Sequence, residues 1–308
     1  MNTTTGQLTI KAPPIAPKKQ RYDNSAYLFL TPWFIGLGLL FVVPIGTSVY
    51  LSLTRWTLSG GTAFVGIQNY VRMFSSDPLF LQSLKVSLLY VLMSLPIKLV
   101  FGVGLALLLN LKLKGMNVFR TLLYLPAVIS GVSVSLMWMN LFQPEMGMIN
   151  STLRLLGIAN PPGWFWDPKW ALFTVATMSI WRVGGAAVIY LAGLQNIPDS
   201  LYESAKIDGA NAVTKFLRIT LPLLTPTLFF QLVIEMIASF KVFTEAYVIT
   251  QGGPLKATHF YLWYFYQEAF MNNNQGYASA LMVVYVILIL TLTGIVRSTS
   301  KRWVYYET

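Results

Sequence analysis

The chain has 308 residues, 55% of them hydrophobic and only 11% charged, with a mean hydropathy of +0.58 and a formal net charge of +11. A soluble domain cannot cover that much apolar surface, so the composition indicates an integral membrane protein. With no cysteine and a single histidine, His259, disulfides and thiolate metal sites are excluded, and a His-based metal centre or catalytic triad is implausible.

Residues 1–24 are polar and carry Pro13, Pro14 and Pro17 beside the basic cluster Lys18, Lys19 and Arg21. They lack the apolar core of a signal peptide and are expected to form a disordered cytoplasmic tail. Residues 25–308 read as one transmembrane domain. Its apolar segments fall near 27–52, 80–109, 119–142, 170–194, 223–250 and 277–297. A helix needs roughly 20 residues to cross the hydrocarbon, so six spans are predicted, the longer ones tilted or projecting. Polar groups inside these segments are few, which favours helices over a barrel. The expected fold class is therefore all-α integral membrane with six transmembrane helices.

The intervening stretches differ in character. Residues 53–79 and 143–169 are rich in Gly, Pro and aromatics, including Trp56, Trp164 and Trp166. Such residues serve as interfacial anchors or receive an external partner. The stretch Pro198–Pro222 is instead strongly charged, with Asp199, Glu203, Lys206, Asp208, Lys215 and Arg218. Ser200 and Glu203 have capping-box spacing, which predicts a helix over 201–207. Gly209 can take positive φ and stop it. Asn211 can cap a second helix, which Pro222 then separates from the next span.

Basic residues orient the chain. With the N-terminus inside, the inner segments hold 13 Lys and Arg and the outer loops five: Arg55, Arg72, Arg154, Lys169 and Lys256. This asymmetry accounts for the positive charge without nucleic acid and predicts both termini, and the 198–222 loop, in the cytoplasm.

Four charges fall within spans: Lys98, Arg182, Glu235 and Lys241. At the bilayer centre each costs about 2.5–3.5 kcal/mol, so each is expected to face a partner or a cavity. On the fifth span Gln231, Glu235, Ser239 and Val242 share a helical face; Lys241 and Glu245, four apart, can pair on another. On the fourth span Trp181, Arg182 and Gly185 lie within one turn. Arg182 and Glu235 either pair across helices or serve a substrate, for which the planar fork of Arg182 suits a carboxylate or phosphate.

Several motifs carry a family resemblance. Glu203-Ser204-Ala205, Asp208-Gly209-Ala210, Phe216, Ile219, Leu221 and Pro222 resemble the "EAA" loop of binding-protein-dependent ABC importer permeases, with Ser204 where the family usually has Ala. Phe64-Val65-Gly66 to Asn69-Tyr70, Phe119-Arg120 to Leu125-Pro126, Thr250 to Pro254, and Gly276 to Ala280 are similar to the sugar-permease branch, the relatives of the maltose and glycerol-phosphate transporter permeases. The resemblance covers nearly everything after residue 25.

It implies a type I importer fold with a cytoplasmic coupling helix at 198–222, docking on an ATPase through Glu203, Ser204, Ala205, Asp208, Gly209 and Ala210. It also places Trp181, Arg182, Gly185, Gln231, Glu235, Ser239 and Val242 at positions matching the substrate pathway of the maltose-transporter permease. Arg182 and Glu235 stand where that relative has uncharged residues, so its sugar preference does not carry over. An acidic saccharide such as a uronate oligomer is one expectation.

The chain has no phosphate-cradling GxxxxGK[ST] sequence. ATP and Mg are therefore expected on two partner ATPase subunits, with no cofactor or metal on this chain. The other implied partners are a second, different permease, an extracytoplasmic solute-binding protein, the saccharide and membrane lipid. The implied location is the bacterial cytoplasmic (inner) membrane. An intramembrane enzyme would need a nucleophile with a base or His with carboxylates, and His259 stands alone. A secondary transporter would leave the 198–222 helices without a purpose; a channel would do the same.

Overall fold

The computed structural model describes residues 25–57, 61–111 and 113–305. The expected tail, 1–24, lies outside them. The chain divides into two compact units, 1–47 and 48–308.

The first unit contributes most of an apolar helix, Tyr27–Ser52, interrupted by a widened i→i+5 turn at Gly38–Val42. Trp33, Phe34 and Phe41 are all exposed. Such an all-round apolar surface suits a helix solvated by hydrocarbon.

In the second unit, three continuous helices are long and apolar enough to cross: Pro78–Leu109, Ala212–Phe240 and Gln275–Ser300. Two further crossings are bent pairs, Met116–Val128 with Gly131–Leu141 at 96° and Ala171–Arg182 with Gly184–Gln195 at 52°. If each pair is one span, the described residues hold six by length and composition.

The expected third, fourth and fifth spans thus need correction. The third and fourth are broken near their middles. The fifth does not run from 223 to 250. It begins at Ala212 and ends at Phe240, and a separate helical turn follows at Ala246–Thr250. Unbroken hydropathy conceals these breaks, because a broken span keeps the apolar character of a straight one.

The 32-residue helix Pro78–Leu109, about 48 Å long at the α-helical rise, is the axis of the unit. At its far end Ala106 and Leu109 pack with Tyr190, Leu194, Ile197 and Leu224. At its near end Phe80 and Val91 pack with Tyr261, Tyr264, Tyr277 and Leu281. The region expected to be an outer loop, 53–79, holds an antiparallel hairpin, Thr54–Thr57 with Gly61–Phe64, and a helix Gln68–Ser75. Asn69 Nδ2 donates to Ser52 O and Thr54 O at 2.8 and 2.9 Å, fixing that helix to the start of the hairpin.

Asp77 joins these parts. Its Oδ1 caps the long helix by accepting from the N–H groups of Leu79 and Phe80, at 2.9 and 3.2 Å. Its Oδ2 accepts from the hydroxyls of Tyr264 and Tyr277. Burial pushes the Asp77 carboxyl up. The hydrogen bonds from Tyr264, Tyr277 and the two backbone N–H groups outweigh it and hold the group below its ordinary value. A carboxylate depressed in the folded state contributes stability above its unfolded pKa and loses it as pH falls through the folded value. Asp77→Ala should cost about 2–4 kcal/mol, combining a lost cap with two orphaned buried donors. Thermal melting of the detergent-solubilised protein checks this. The acid-side loss of stability should be shallower in Asp77→Asn than in the wild type.

Candidate transport pathway and docking loop

The charged loop is built as a stiff connector. Its first helix runs Asp199–Ile207, starting two residues earlier than expected, with Pro198 in extended backbone before it. No side-chain cap forms there, so the expected capping box is absent: Ser200 already lies inside the helix, and Asp199 supplies the first-turn acid that favours its positive end. Gly209 takes φ +76°; Ala210 N–H donates to Ala205 O at 2.8 Å and Gly209 N–H to Lys206 O at 3.2 Å. These two bonds are the paired closure of a left-handed helix end.

Asn211 Oδ1 then caps the next helix by accepting from Thr214 N–H at 2.8 Å. That helix does not stop at Pro222. It passes through a widened turn at Phe216–Thr220 and continues to Phe240. The i→i+5 turn gives the proline ring room it would lack against an ordinary α-helical carbonyl. Tyr202 and Thr220 hydroxyls, 2.9 Å apart, tie the two helices together. Glu203, Ser204, Asp208 and Gly209 are exposed, while Ala205 and Ala210 are half-buried.

About 35 Å further along the same helix lies Glu235, by the α-helical rise from Ala212. Its carboxylate pairs with Lys98 Nζ at 3.0 Å, with side chains only 20% and 12% exposed. Lys98 also donates to Ser239 Oγ at 3.1 Å, and Ser94 shares that hydroxyl at 3.4 Å. Neither expected pairing forms: among the described residues no ion pair joins Arg182 to Glu235, or Lys241 to Glu245. The helix ends at Phe240, which breaks the i,i+4 geometry that the latter pair would need.

A cavity of about 380 Å³ gathers these groups. Lys98, Arg182, Glu235, Lys241, Val242 and Glu245 line it. The three helix breaks converge there. Arg182 ends the first half of the fourth span, and Lys241 and Val242 follow the end of the fifth. Arg182 Nη2 reaches toward Ile129 O, at 3.5 Å, in the break of the third. Gly131, just past that break, keeps the contact close: a Cβ there would lie 3.2 Å from Arg182 Nη2 and 3.5 Å from Thr244 Cγ2, and the guanidinium would have to shift by a few tenths of an ångström.

Of the expected pathway residues, Arg182, Glu235 and Val242 line the cavity, and Ser239 adjoins it through Lys98. Trp181 lines a separate apolar groove of about 1040 Å³, edge-on to Trp138 at 6.2 Å. Gly185 faces Ala127 and Tyr124 of the third span. Gln231 is buried, and its Oε1 lacks a partner. Lys98 and Lys241 complete the cavity's charge. Both are visible in sequence as charges within spans, but nothing in the sequence shows which carboxylate each meets. Among the described residues there is no cluster of three or more His, Asp or Glu that could hold a metal.

Residues 80–305 match the family described as binding-protein-dependent transport system inner membrane component. The chain belongs to that family. It is 43% identical over 291 residues to the probable ABC transporter permease protein YesP of Bacillus subtilis (strain 168), covering 93% of this chain and 94% of that one. It is 36% identical over 273 residues to the sulfoquinovosyl glycerol transport system permease protein SmoG of Agrobacterium fabrum, covering 88% of each. Its fold matches a chain of a bacterial ABC transporter involved in the import of the acidic polysaccharide alginate, with a TM-score of 0.79 at 24% identity over 91% of this chain and 96% of that one. The fold is thus that of a type I importer permease: a transport subunit of the inner membrane, not a catalytic one.

Removing one member of a buried ion pair typically costs about 3–5 kcal/mol, because the other charge is left uncompensated. Lys98→Met should therefore lower the thermal midpoint clearly. Lys98→Met combined with Glu235→Met should regain most of the loss. A double-mutant cycle on melting in detergent measures the coupling.

Proposed function

We propose that this chain is one of two permease subunits of an importer for a saccharide or oligosaccharide bearing an acidic group. The observation that carries the substrate class is the cavity at the helix breaks. It holds three cations, Lys98, Arg182 and Lys241, against two carboxylates, Glu235 and Glu245. Glu235 is engaged by Lys98, which leaves Arg182 and Lys241 to be balanced largely by Glu245 and by whatever enters. A sugar carboxylate or sulfonate supplies the missing negative charge and can accept a bidentate pair from the Arg182 fork. The relative SmoG, named for sulfoquinovosyl glycerol, carries a sulfo-sugar in its name; that supports a saccharide with an anionic substituent.

The 198–222 end lies in the cytoplasm, with both termini, and the hairpin end faces outward. Glu203, Ser204, Ala205, Asp208, Gly209 and Ala210 form the surface that docks on one of two ATPase subunits. Those subunits hold ATP and Mg, and this chain binds no cofactor. An extracytoplasmic solute-binding protein presents the sugar to the hairpin end. ATP-driven closure of the ATPases pushes on Asp199–Ile207. Because the next helix is continuous from Ala212 to Phe240, the displacement reaches Gln231, Glu235 and Ser239 without a flexible joint to absorb it. The cavity lining then alternates between outward and inward access. The second permease supplies the other wall of the pathway, and lipid solvates the remaining apolar faces.

Three outcomes test this reading. Purification from native membranes in mild detergent should yield the chain with ATPase subunits and a second permease; a chain that purifies alone and folded would count against it. Gly209→Pro, which cannot take φ +76°, and Glu203→Lys should each abolish uptake while membrane insertion persists. Arg182→Gln should reduce uptake of acidic saccharides by about tenfold or more relative to neutral ones, the scale of a lost charge-assisted hydrogen bond. Unchanged selectivity would sink the acidic-substrate proposal and leave the importer reading standing.

A further inference from the structure

At the hairpin end, far from the cavity, a polar cleft of about 520 Å³ lies between the hairpin, the helix Gln68–Ser75 and the segment before Gln275–Ser300. Arg55, Gln68, Arg72, Glu268, Asn272 and Asn274 line it. Its charges are unevenly satisfied. Glu268 is buried, and its two carboxylate oxygens accept from Asn272 Nδ2 at 2.8 Å and Asn274 Nδ2 at 3.1 Å. Among the described residues no ion pair joins it to either arginine. Arg55 and Arg72 are exposed, and among the described residues neither guanidinium that borders the cleft is ion-paired to a carboxylate.

The cleft is also firmly built. Glu268 sits on an i→i+5 turn, Gln267–Met271, a geometry frequent at functional sites. Asn69 anchors the Arg72 helix to the hairpin that carries Arg55. The Arg72 guanidinium lies 4.3 Å above the Tyr277 ring, a cation–π contact that holds it in place. Tyr277 in turn donates to Asp77, the cap of the long helix that bears Lys98.

We propose that this cleft is the seat for an acidic side chain on the surface of the extracytoplasmic binding protein, gripped by Arg55 and Arg72. The assignment rests on the importer reading above. Two guanidinium forks bordering one cleft suit a carboxylate, and 520 Å³ admits a side chain or loop tip rather than a whole domain. The seat adjoins the first turn of the helix that carries Lys98. A partner docked on Arg72 therefore acts on that helix through Tyr277 and Asp77.

A photocrosslinker placed at Gln68 in intact cells supplies the probe. The expected capture is a solute-binding protein, joined through a peptide that contains Asp or Glu. Capture of lipid, or of nothing, by a chain that still assembles with its ATPases overturns the cleft and leaves the importer reading intact. With the captured protein added to the reconstituted transporter, Arg55→Glu and Arg72→Glu should each raise its half-saturating concentration for ATPase stimulation about tenfold at low salt. The gap should narrow as salt rises, since exposed charges are screened. Reversing the captured acidic residue to Lys should restore binding to Arg55→Glu. Unmoved half-saturation in both arginine variants, with normal thermal midpoints, overturns the proposal. A wild-type complex that assembles without ATPases overturns the importer reading, and the seat falls with it.

Discussion

Hydrocarbon offers no partner for a free backbone amide or carbonyl, and that constraint governs where this chain breaks its helices. A lipid-facing break would leave several polar groups unsatisfied, at several kcal/mol each. Here the interruptions near Ile129, Val183 and Lys241 lie beside the cavity lined by Arg182 and the Lys98–Glu235 pair, with Val183 buried and Ile129, Arg182 and Lys241 exposed on its open side. The polar side chains there and the loosened backbone occupy the same space. Charge within the spans and broken helix are thus two aspects of one arrangement, gathered at one cavity.

The second organising feature is mechanical. The second half of the charged loop and the ion-paired carboxylate share one helix, Ala212–Phe240, and the first half is tied to it by a tight turn. The closure at Gly209, the Asn211 cap and the Tyr202–Thr220 contact stiffen that end. At the opposite end of the molecule, Asp77 gathers the long helix, Tyr264 and Tyr277 in a single carboxylate. The two sets of contacts fix opposite ends of neighbouring helices, and Lys98 and Glu235 meet between them.

Much of this was legible in the sequence. Hydropathy marks six apolar segments, and Gly209 and Asn211 announce their turn and cap through residue chemistry alone. The charges within spans point to a cavity because they are too costly to face lipid. Other features were hidden for physical reasons. Periodicity cannot distinguish a straight apolar helix from a bent one, so the breaks at 129–130 and 183 leave no trace in it. The four-residue spacing of Lys241 and Glu245 suggests a pair only if the helix continues, and it does not. The Lys98–Glu235 pair lies 137 positions apart, beyond any local pattern. The hairpin 54–64 lies in a stretch whose Gly and aromatics suit loop and strand alike.

The widened turn at Phe216–Thr220 sets an angular phase. Each α-helical residue advances the azimuth by about 100°, and an i→i+5 turn accommodates one residue more than the regular ladder. Everything beyond it, including Gln231, Glu235 and Ser239, is rotated by nearly that amount relative to an unbroken helix begun at Ala212. Deleting one residue from this turn would change composition and hydropathy hardly at all. It would let the turn close into the regular ladder with Glu235 at nearly its present heading; tightening the turn to i→i+4 with every residue kept would instead swing that carboxylate about a quarter-turn around the axis, away from Lys98. The compass heading of the membrane charge is thus set some four helical turns away, beside the proline that the wide turn accommodates.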